Sequence, residues 1–333
     1  MEKILSVSVA AYNVEKFIEQ NMKSFLNTNV SDKIEVLIID DGSKDKTAEI
    51  ASKYQQEYPE TVRLIQQKNS GPGATVNTGL YNATGKYFRM VDGDDWVNSD
   101  DLDKYITFLE NNVVDVVFTD YCLVDNDTNE QVPQIISFDR KNQILDYDEI
   151  CQKIDVSMHN VTYLTEVLKN HQIKLDNCFY TDMEYLLYPV SYLNSAVVLD
   201  CLIYMYRVSL STQSMNINSM IRNKKMHETV FHHLLDDFAY KLSENELTKS
   251  KIDFIRMRLL IMAGAQLSII IAQKPSEESK NELKLFTNYI FSRDTVLYDS
   301  FISLKTMKVI LKSHYLLFNL ISIIHRNRVG IDK

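Results

Sequence analysis

The run Leu37-Ile38-Ile39-Asp40-Asp41-Gly42-Ser43 decides the fold, together with Met90-Val91-Asp92-Gly93-Asp94-Asp95-Trp96 further along the chain. Each is a short apolar segment that ends abruptly in carboxylates and glycine. In open α/β sheets, ligands bind at the carboxyl ends of the strands. The spacing Asp92-x-Asp94 indicates a hard cation there, because oxygen ligands suit Mg²⁺ and Mn²⁺, and Mg²⁺ is usually shared with substrate phosphates. The first expectation is therefore a metal-bridged nucleoside diphosphate.

Strand and helix patterns alternate around these two runs over the first hundred or so residues. Strands are predicted at residues 4–10, 35–39, 62–66, 87–91 and 113–119, and helices at 14–26, 45–58, 71–82 and 102–111. Strands that alternate with helices are typical of βαβ units. The sequence thus predicts an α/β fold with a mostly parallel, Rossmann-like sheet flanked by helices.

The pattern changes in the second half of the chain. Residues 120–160 fit a hairpin or an irregular excursion, and helices at 161–171 and 182–193 precede a strand at 195–204. Past residue 216 the pattern is wholly helical, at 220–242, 248–273, 276–291 and 301–325. The predicted domains are therefore residues 1–215 and an all-α region at 216–333. The apolar stretch 259–272 is interrupted by Gln266, which favours a buried helix over a membrane span.

Composition excludes several classes of protein. The 333 residues are 45% hydrophobic and 24% charged, enough for two domains with cores, and the net charge of −9 argues against general nucleic-acid binding. No secretory leader is expected, because the apolar residues 4–11 are too few for one. The cysteines are widely spaced without a CxxC pair, which is typical of reduced thiols in a cytoplasmic protein: Cys122, Cys151, Cys178 and Cys201.

Charge is distributed unevenly along the chain. Residues 301–333 hold six basic residues and one acidic residue, a net charge of +5, so residues 1–300 carry −14. A basic, apolar end on an acidic body suggests contact with an anionic membrane surface through residues 301–329. A terminal helix that packs on the core and keeps a solvated basic edge is the alternative.

In the order and spacing of its motifs, the chain resembles the family 2 glycosyltransferases, the large inverting group with the GT-A fold. The resemblance covers residues 4–230 and points to the bacterial cell-surface polysaccharide type. The matching stretches are Ser8-Val9-Ala10-Ala11-Tyr12-Asn13, residues 37–43, Lys68-Asn69-Ser70-Gly71, Asn77-Thr78-Gly79-Leu80, Ala83-Thr84-Gly85-Lys86-Tyr87, residues 91–96, Phe179-Tyr180-Thr181-Asp182-Met183-Glu184-Tyr185 and residues 204–215.

The resemblance implies a pocket for the donor nucleotide. Asp41 is expected at the uracil or ribose, Ala11 and Tyr12 would line the base pocket, and Asn69 would contact the base. A turn at the entry of a helix, where Asp commonly caps, is the structural alternative for Asp41. Val76 occupies a position where the family often has arginine, which indicates a different donor contact from that helix.

The Asp92-x-Asp94 motif resembles the DxD motif of the family. Asp94 would bind Mn²⁺ or Mg²⁺ directly, and Asp92 would hold the ribose or a metal-bound water. An EF-hand is excluded by spacing, because Val97 and Asp103 stand where that loop needs glycine and glutamate. His227 could complete the metal or phosphate site.

The resemblance implies that Asp182 is the general base, because the family places its catalytic carboxylate in a motif like the one around this residue. An inverting transfer needs one base on the face opposite the leaving group. The stretch Thr181-Asp182-Met183-Glu184 also reads as a capping box, and a helix N-terminus would lower the pKa of Asp182. Glu184 is the second candidate. The resemblance further implies phosphate contacts from Arg207 and hydrogen bonds from a following loop that holds Gln213 and Ser214.

These inferences predict an enzyme that moves a hexosyl or N-acetylhexosaminyl group from a UDP-sugar to a hydroxyl of a saccharide or lipid-linked saccharide. It would work in the cytoplasm, at most attached to the inner face of the membrane. A homodimer is compatible with the helical region. Two alternatives stay open: a non-catalytic nucleotide-binding partner of another glycosyltransferase, and a sugar-nucleotide nucleotidyltransferase. The second is disfavoured by Ala11-Tyr12-Asn13-Val14, where that class has a glycine-rich basic loop.

Overall fold

The computed structural model describes residues 2–210 and 217–331. The chain forms two compact units that divide after residue 211. The boundary predicted from sequence lies four residues further along, after residue 215. That the two units have separate roles stays a prediction.

The described part of the chain contains ten strands, all in the first unit. They are β1 (Leu5–Ala11), β2 (Ile34–Asp40), β3 (Val62–Gln66), β4 (Tyr87–Asp92), β5 (Trp96–Val97), β6 (Val116–Asp125), β7 (Gln131–Gln134), β8 (Leu145–Asp146), β9 (Val161–Leu164) and β10 (Ser195–Val208).

Helices flank the sheet in the first unit and make up the second. Those of the first unit are α1 (Ile18–Leu26), α2 (Thr47–Glu57), α3 (Pro72–Asn82), α4 (Leu102–Asn111), α5 (Tyr147–Ile150), α6 (Thr165–Asn170) and α7 (Asp182–Leu187). Those of the second are α8 (Ile217–Arg222), α9 (Lys224–Ser243), α10 (Lys249–Ala272), α11 (Glu277–Arg293), α12 (Thr295–Ser303), α13 (Lys305–Lys312) and α14 (Phe318–Arg328).

The strands form one sheet in the order β3-β2-β1-β4-β9-β6-β10-β5, with β7 on β6 and β8 on β10. The neighbours β3, β2, β1 and β4 run parallel, as do β6 and β10. Strand β2 is buried along its whole length, which explains its continuous apolar run. This half of the sheet confirms the predicted α/β architecture.

The centre of the sheet contains a strand that the sequence analysis misses. Residues 161–171 were expected to form one helix, but Val161–Leu164 is strand β9, and only Thr165–Asn170 is helical. β9 runs antiparallel to both β4 and β6, so the sheet is mixed. The segment Val161-Thr162-Tyr163-Leu164 is rich in β-branched and aromatic residues, which fit a pleated, buried surface.

In the second unit, α10 packs against α9, α11, α12 and α14. It is long and apolar enough to cross a membrane, but 61% of its most apolar stretch is buried in the protein. Gln266 is fully buried, so the predicted buried helix is confirmed. The helix expected at 301–325 is instead split among α12, α13 and α14, because Leu304 has an extended backbone and His314 and Tyr315 have positive φ angles.

Candidate active site

The carboxyl ends of β1, β2 and β4 lie side by side. In the pairing register Ala10 stands opposite Asp92, and Ala11 stands opposite Asp40. The Gly93 amide donates to the Ala10 carbonyl at 2.9 Å, and a Cβ on Gly93 would lie only 2.7 Å from that oxygen. Glycine therefore lets the turn after β4 lie against the end of β1.

The turn Asp92–Asp95 gathers three carboxylates, whose oxygens lie within 4.8 Å of one another. Asp95 is buried and already satisfied, because Tyr204 Oη donates to its Oδ2 at 2.6 Å and the Arg207 amide donates to its Oδ1 at 2.7 Å. Asp92 and Asp94 are the two that could bind a cation. A pair of carboxylates fits Mg²⁺ or Mn²⁺, which prefer oxygen ligands.

The electrostatics of this turn favour a positive ligand. Burial, and then the negative charges of Asp94 and Asp182, raise the pKa of Asp92 to about 7. Burial also raises the pKa of Asp94, although the charge of Arg207 opposes the shift. Crowded carboxylates of this kind resist ionisation until a cation neutralises them.

A side chain that the sequence analysis misses fixes the backbone of the turn. Asn21, on α1, donates from Nδ2 to the carbonyl of Asp95 at 2.8 Å and to that of Asp92 at 3.3 Å. A signal for it exists in the sequence, because Asn21 is a polar residue on the buried face of α1, next to Ile18 and Met22. Such a residue calls for a polar partner in the core.

Arg207 lies beside the turn, with its guanidinium held by protein acceptors. Its Nε donates to the Asp94 carbonyl at 2.9 Å, Nη2 to Gln20 Oε1 at 2.7 Å and Nη1 to Asn126 Oδ1 at 3.3 Å. The rings of Phe17 and Trp96 lie 4.8 Å and 4.7 Å from the guanidinium carbon. The structure thus gives Arg207 a supporting role for the Asp94 backbone that the sequence did not predict.

Asp182 begins α7 and lies close enough to the acidic turn to raise the pKa of Asp92. The helix N-terminus was expected to lower the pKa of Asp182. Burial instead raises it, outweighing the hydrogen bonds of the Asp182 and Met183 amides, which lower it. A carboxylate with a raised pKa is a stronger base than an ordinary one.

Glu184, the second candidate base, is fully buried and engaged by other groups. The Asp176 amide donates to its Oε2 at 2.8 Å, and Tyr188 Oη donates to its Oε1 at 3.0 Å. Burial and the charge of Asp176 raise its pKa to about 7. Residues two apart in a helix point to different faces, so Glu184 and Asp182 do not lie on the same face of α7. Its contacts favour a structural role, and catalysis by Glu184 stays a prediction.

Asp41 holds the loop that precedes α3. Its buried carboxylate accepts from the Ser70 and Gly71 amides at 2.9 Å each and from Gln67 Nε2 at 2.8 Å. Gly71 adopts a φ of 92°, which favours glycine. These bonds hold the distant loop before α3, not the entry of the following helix α2, whose N-cap is Lys46. The contact of Asp41 with a base or ribose stays a prediction.

The other predicted nucleotide contacts lie around the same strand ends. Ala11 is buried at the end of β1 and its carbonyl accepts from the Asp41 amide at 2.9 Å, whereas Tyr12 is 49% exposed and Asn69 is exposed. Val76 is buried in α3, which packs on β1 and β2, so the side chain is part of the core.

Three predicted residues fall elsewhere. Gln213 and Ser214 lie outside the described residues. His227 is buried on α9 of the second unit, with its Nδ1 2.8 Å from Gln266 Oε1. Contact of His227 with a metal or phosphate stays a prediction.

Comparisons with known proteins identify the first unit. The glycosyl transferase family 2 model matches residues 6–171. The "Uncharacterized glycosyltransferase EpsJ" of Bacillus subtilis (strain 168) is 33% identical over 154 residues, which cover 46% of this chain. The match spans 43% of EpsJ, so this chain covers less than half of that relative.

Solved structures show the same fold. S. aureus TarS 1-349 in complex with UDP has a TM-score of 0.64 and 18% identity, with 98% of this chain and 90% of that chain covered. The mannosyltransferase PcManGT from Pyrobaculum calidifontis, in complex with GDP-Man and Mn²⁺, has a TM-score of 0.50 and 13% identity, with 98% and 87% covered. The mixed sheet with flanking helices is thus the GT-A fold, and through residues 6–171 this chain belongs to glycosyl transferase family 2.

Proposed function

We propose that this chain transfers a sugar from a UDP-sugar to an acceptor hydroxyl, with inversion, in the synthesis of a surface polysaccharide or glycoconjugate. The observation that carries the proposal is the grouping of Asp92, Asp94 and Asp182 at the carboxyl end of β4, where each carboxylate has a raised pKa. This grouping combines a cation site with a candidate base. Family membership and the teichoic acid proteins among the relatives support the reaction class.

The donor would bind at the ends of β1, β2 and β3. Ala11 and Tyr12 would line the base pocket, Asn69 would contact the base, and Asp41 would face the uracil or ribose. Support for UDP comes from TarS, which was crystallised with UDP and with UDP-GlcNAc. The sugar that we propose is transferred is a hexosyl or N-acetylhexosaminyl group.

Asp94 would bind Mn²⁺ or Mg²⁺ directly, and Asp92 would hold the ribose or a metal-bound water. The divalent ion would neutralise charge on the departing diphosphate. Arg207 would add a phosphate contact if its hydrogen bond to Gln20 or Asn126 were replaced by one to a phosphate oxygen, since the planar guanidinium donors suit phosphate. Gln213 and Ser214 would add hydrogen bonds, and His227 would complete the metal or phosphate site.

Asp182 would take the proton of the acceptor hydroxyl as it attacks. In an inverting transfer this base stands opposite the leaving group, and its pKa should lie near the working pH. Burial raises the pKa of Asp182 in that direction.

The acceptor would be a saccharide or a lipid-linked saccharide, used in the cytoplasm or at the inner face of the membrane. Contact of residues 301–329 with the membrane belongs to this proposal, because a lipid-linked acceptor would be presented there. A homodimer is a further proposed state.

The test is release of UDP from a panel of UDP-sugars with Mn²⁺. One donor is expected to be turned over by the wild type, with at least about a hundredfold loss in Asp94→Ala and in Asp182→Asn, as for removal of a general base. Asp182→Asn should still bind UDP, whereas Asp94→Ala should bind it weakly. The exposed Asp139 supplies matched controls, Asp139→Ala and Asp139→Asn, which should keep full activity.

Two results would contradict the proposal. If UDP binds but no donor is turned over, the chain acts as a non-catalytic nucleotide-binding partner. If UDP does not bind at all, the uridine donor is wrong.

A further inference from the structure

The helix α14 turns an apolar face to solvent. Five large aliphatic side chains in and just before it have exposed fractions between 42% and 83%, and their spacing places them along one face of the helix. They are Leu316, Leu317, Leu320, Ile323 and Ile324. A concentration of exposed aliphatic residues of this kind marks an interaction site rather than ordinary surface.

The opposite face of α14 is anchored to α10 and the residue that follows it by polar contacts. Ser322 Oγ donates to the Ile271 carbonyl at 2.7 Å, and Arg326 Nη1 donates to the Ala272 carbonyl at 2.9 Å. His325 Nε2 lies 2.9 Å from Ser268 Oγ. Rolling the helix to bury its aliphatic face would break all of these bonds, so the face stays outward.

Basic residues stand at both ends of this aliphatic face. Lys312 is the last residue of α13, four residues before Leu316, Arg328 lies one turn after Ile324 in α14, and both are exposed. Lys305 and Lys308 add exposed positive charge on α13. Residues 301–331 contain no acidic residue. The surface therefore combines aliphatic side chains with positive charge that no acidic residue within 301–331 offsets.

We propose that this face of α14 docks on an anionic lipid bilayer. The aliphatic side chains would enter the boundary between headgroups and acyl chains, and Lys312 and Arg328 would meet the anionic headgroups. A symmetric contact with a second copy would place the same basic residues against one another, which like-charge repulsion disfavours. The inference deepens the membrane contact of residues 301–329 and rests on that part of the proposed function, although it needs neither a nucleotide sugar nor the acidic turn.

The experiment is co-sedimentation of the full chain with lipid vesicles. Binding to phosphatidylcholine vesicles that contain phosphatidylglycerol should be at least about tenfold tighter than to phosphatidylcholine alone, and should weaken as salt is added. Replacing Leu320→Glu together with Ile324→Glu should weaken binding at least about tenfold, since burial of apolar area drives insertion. Lys312→Gln with Arg328→Gln should weaken it by a similar factor.

The matched control is Leu285→Glu on α11, which puts the same charge at an aliphatic position that is 71% exposed. It should bind vesicles as the wild type does. All the replaced residues are exposed, so thermal unfolding should be unchanged in every variant.

Three results would overturn the inference. The wild type fails to bind the anionic vesicles, or Leu320→Glu with Ile324→Glu binds them as tightly as the wild type. The third result is that the wild type does not bind vesicles but forms a dimer, and that Leu320→Glu with Ile324→Glu abolishes this dimer. A second copy of the chain would then cover the aliphatic face of α14. UDP release with a soluble acceptor should be normal in these variants, so failure here is distinct from failure of the proposed transferase activity.

Discussion

The carboxylates of the acidic turn differ in what they already bind. Asp95 accepts from Tyr204 Oη and from the Arg207 amide, so its charge is used to hold the turn. Tyr204 also contacts Asp92, with the hydrogen bond in the other direction: the Asp92 amide donates to Tyr204 Oη at 3.1 Å. The Tyr204 phenol thus joins Asp92 to Asp95, the acidic residues on either side of the proposed metal ligand Asp94.

Replacing Tyr204→Phe should therefore loosen the turn without touching a proposed ligand. The change leaves the buried Asp95 Oδ2 and the Asp92 amide without their partner, and an unsatisfied buried group costs about 1–3 kcal/mol. We expect a loss of that size in the free energy of unfolding, measured with urea, and weaker Mn²⁺-dependent binding of UDP. The control is Tyr240→Phe on α9, where the side chain is 61% exposed. Unchanged stability of Tyr204→Phe would contradict the role.

Glu184 should make stability fall as pH rises. Its pKa goes from the usual 4.5 in the unfolded chain to about 7 in the folded one, through burial and the charge of Asp176. Between those values the folded state binds a proton that the unfolded state releases, so the free energy of unfolding decreases with pH across this window.

The variant Glu184→Gln removes this titration, and its stability should fall less between pH 5 and pH 8 than that of the wild type. The measurement is the free energy of unfolding at several pH values. Glu166→Gln on α6, at an exposed glutamate, is the control and should keep the wild-type slope. An equal slope in Glu184→Gln would show that the carboxyl is not the titrating group.

Residues at strand ends were predictable, and their partners were not. Asp92 and Asp94 follow from an apolar run that ends in carboxylates, which is a local pattern. The contacts of Arg207 with Gln20 and Asn126 join side chains far apart in sequence, and only the folded sheet brings them together. The raised pKa of Asp182 also depends on burial, which a capping pattern does not report.

Among the elements, those with local signals were predicted best. Helix α3 was expected at 71–82 and spans Pro72–Asn82, because proline favours the first turn of a helix. Strand β9 was read as helix, since four apolar and β-branched residues before a true helix carry no periodicity of their own. Its pairing with β4 and β6 is a tertiary contact that overrides the local pattern.

Two helix glycines should respond oppositely to alanine. In α3, a Cβ on Gly73 would lie 1.7 Å from the Asp176 carbonyl oxygen, so the loop before α7 would have to move. In α10, Gly264 has nothing within 4 Å of that position. Alanine is favoured over glycine inside a helix by about 1 kcal/mol.

We therefore expect Gly264→Ala to raise the free energy of unfolding by about 0.5–1 kcal/mol and Gly73→Ala to lower it by about 1–3 kcal/mol. Each glycine serves as the control for the other, because both variants replace a helical glycine with alanine. Urea unfolding of both variants is the measurement. A gain of stability in Gly73→Ala would show that α3 and the loop do not approach so closely.

For the whole molecule, the two units divide the proposed work. The acidic turn, Asp182 and Arg207 belong to the first unit, whereas the outward face of α14 belongs to the second. The net charge is divided in a similar way, because residues 301–333 in the second unit carry +5 whereas residues 1–300 together carry −14. Donor binding and membrane docking should then be separable by mutation.

Hydrogen exchange measures this division directly in the full chain. A ligand at a hundred times its Kd stabilises the state that binds it by about 2.7 kcal/mol, which slows exchange about a hundredfold wherever opening releases the ligand. UDP with Mn²⁺ is expected to slow exchange in β1, β4 and α7, and to leave α11–α14 unchanged. Slowing at α9 would support the predicted metal contact of His227, and unchanged rates there would remove His227 from the site. The control is Asp94→Ala, in which the same concentrations of UDP and Mn²⁺ should slow exchange far less, because this variant binds UDP weakly. Unchanged rates in β4 and α7 of the wild type would place the nucleotide elsewhere and end the assignment of the acidic turn as its site.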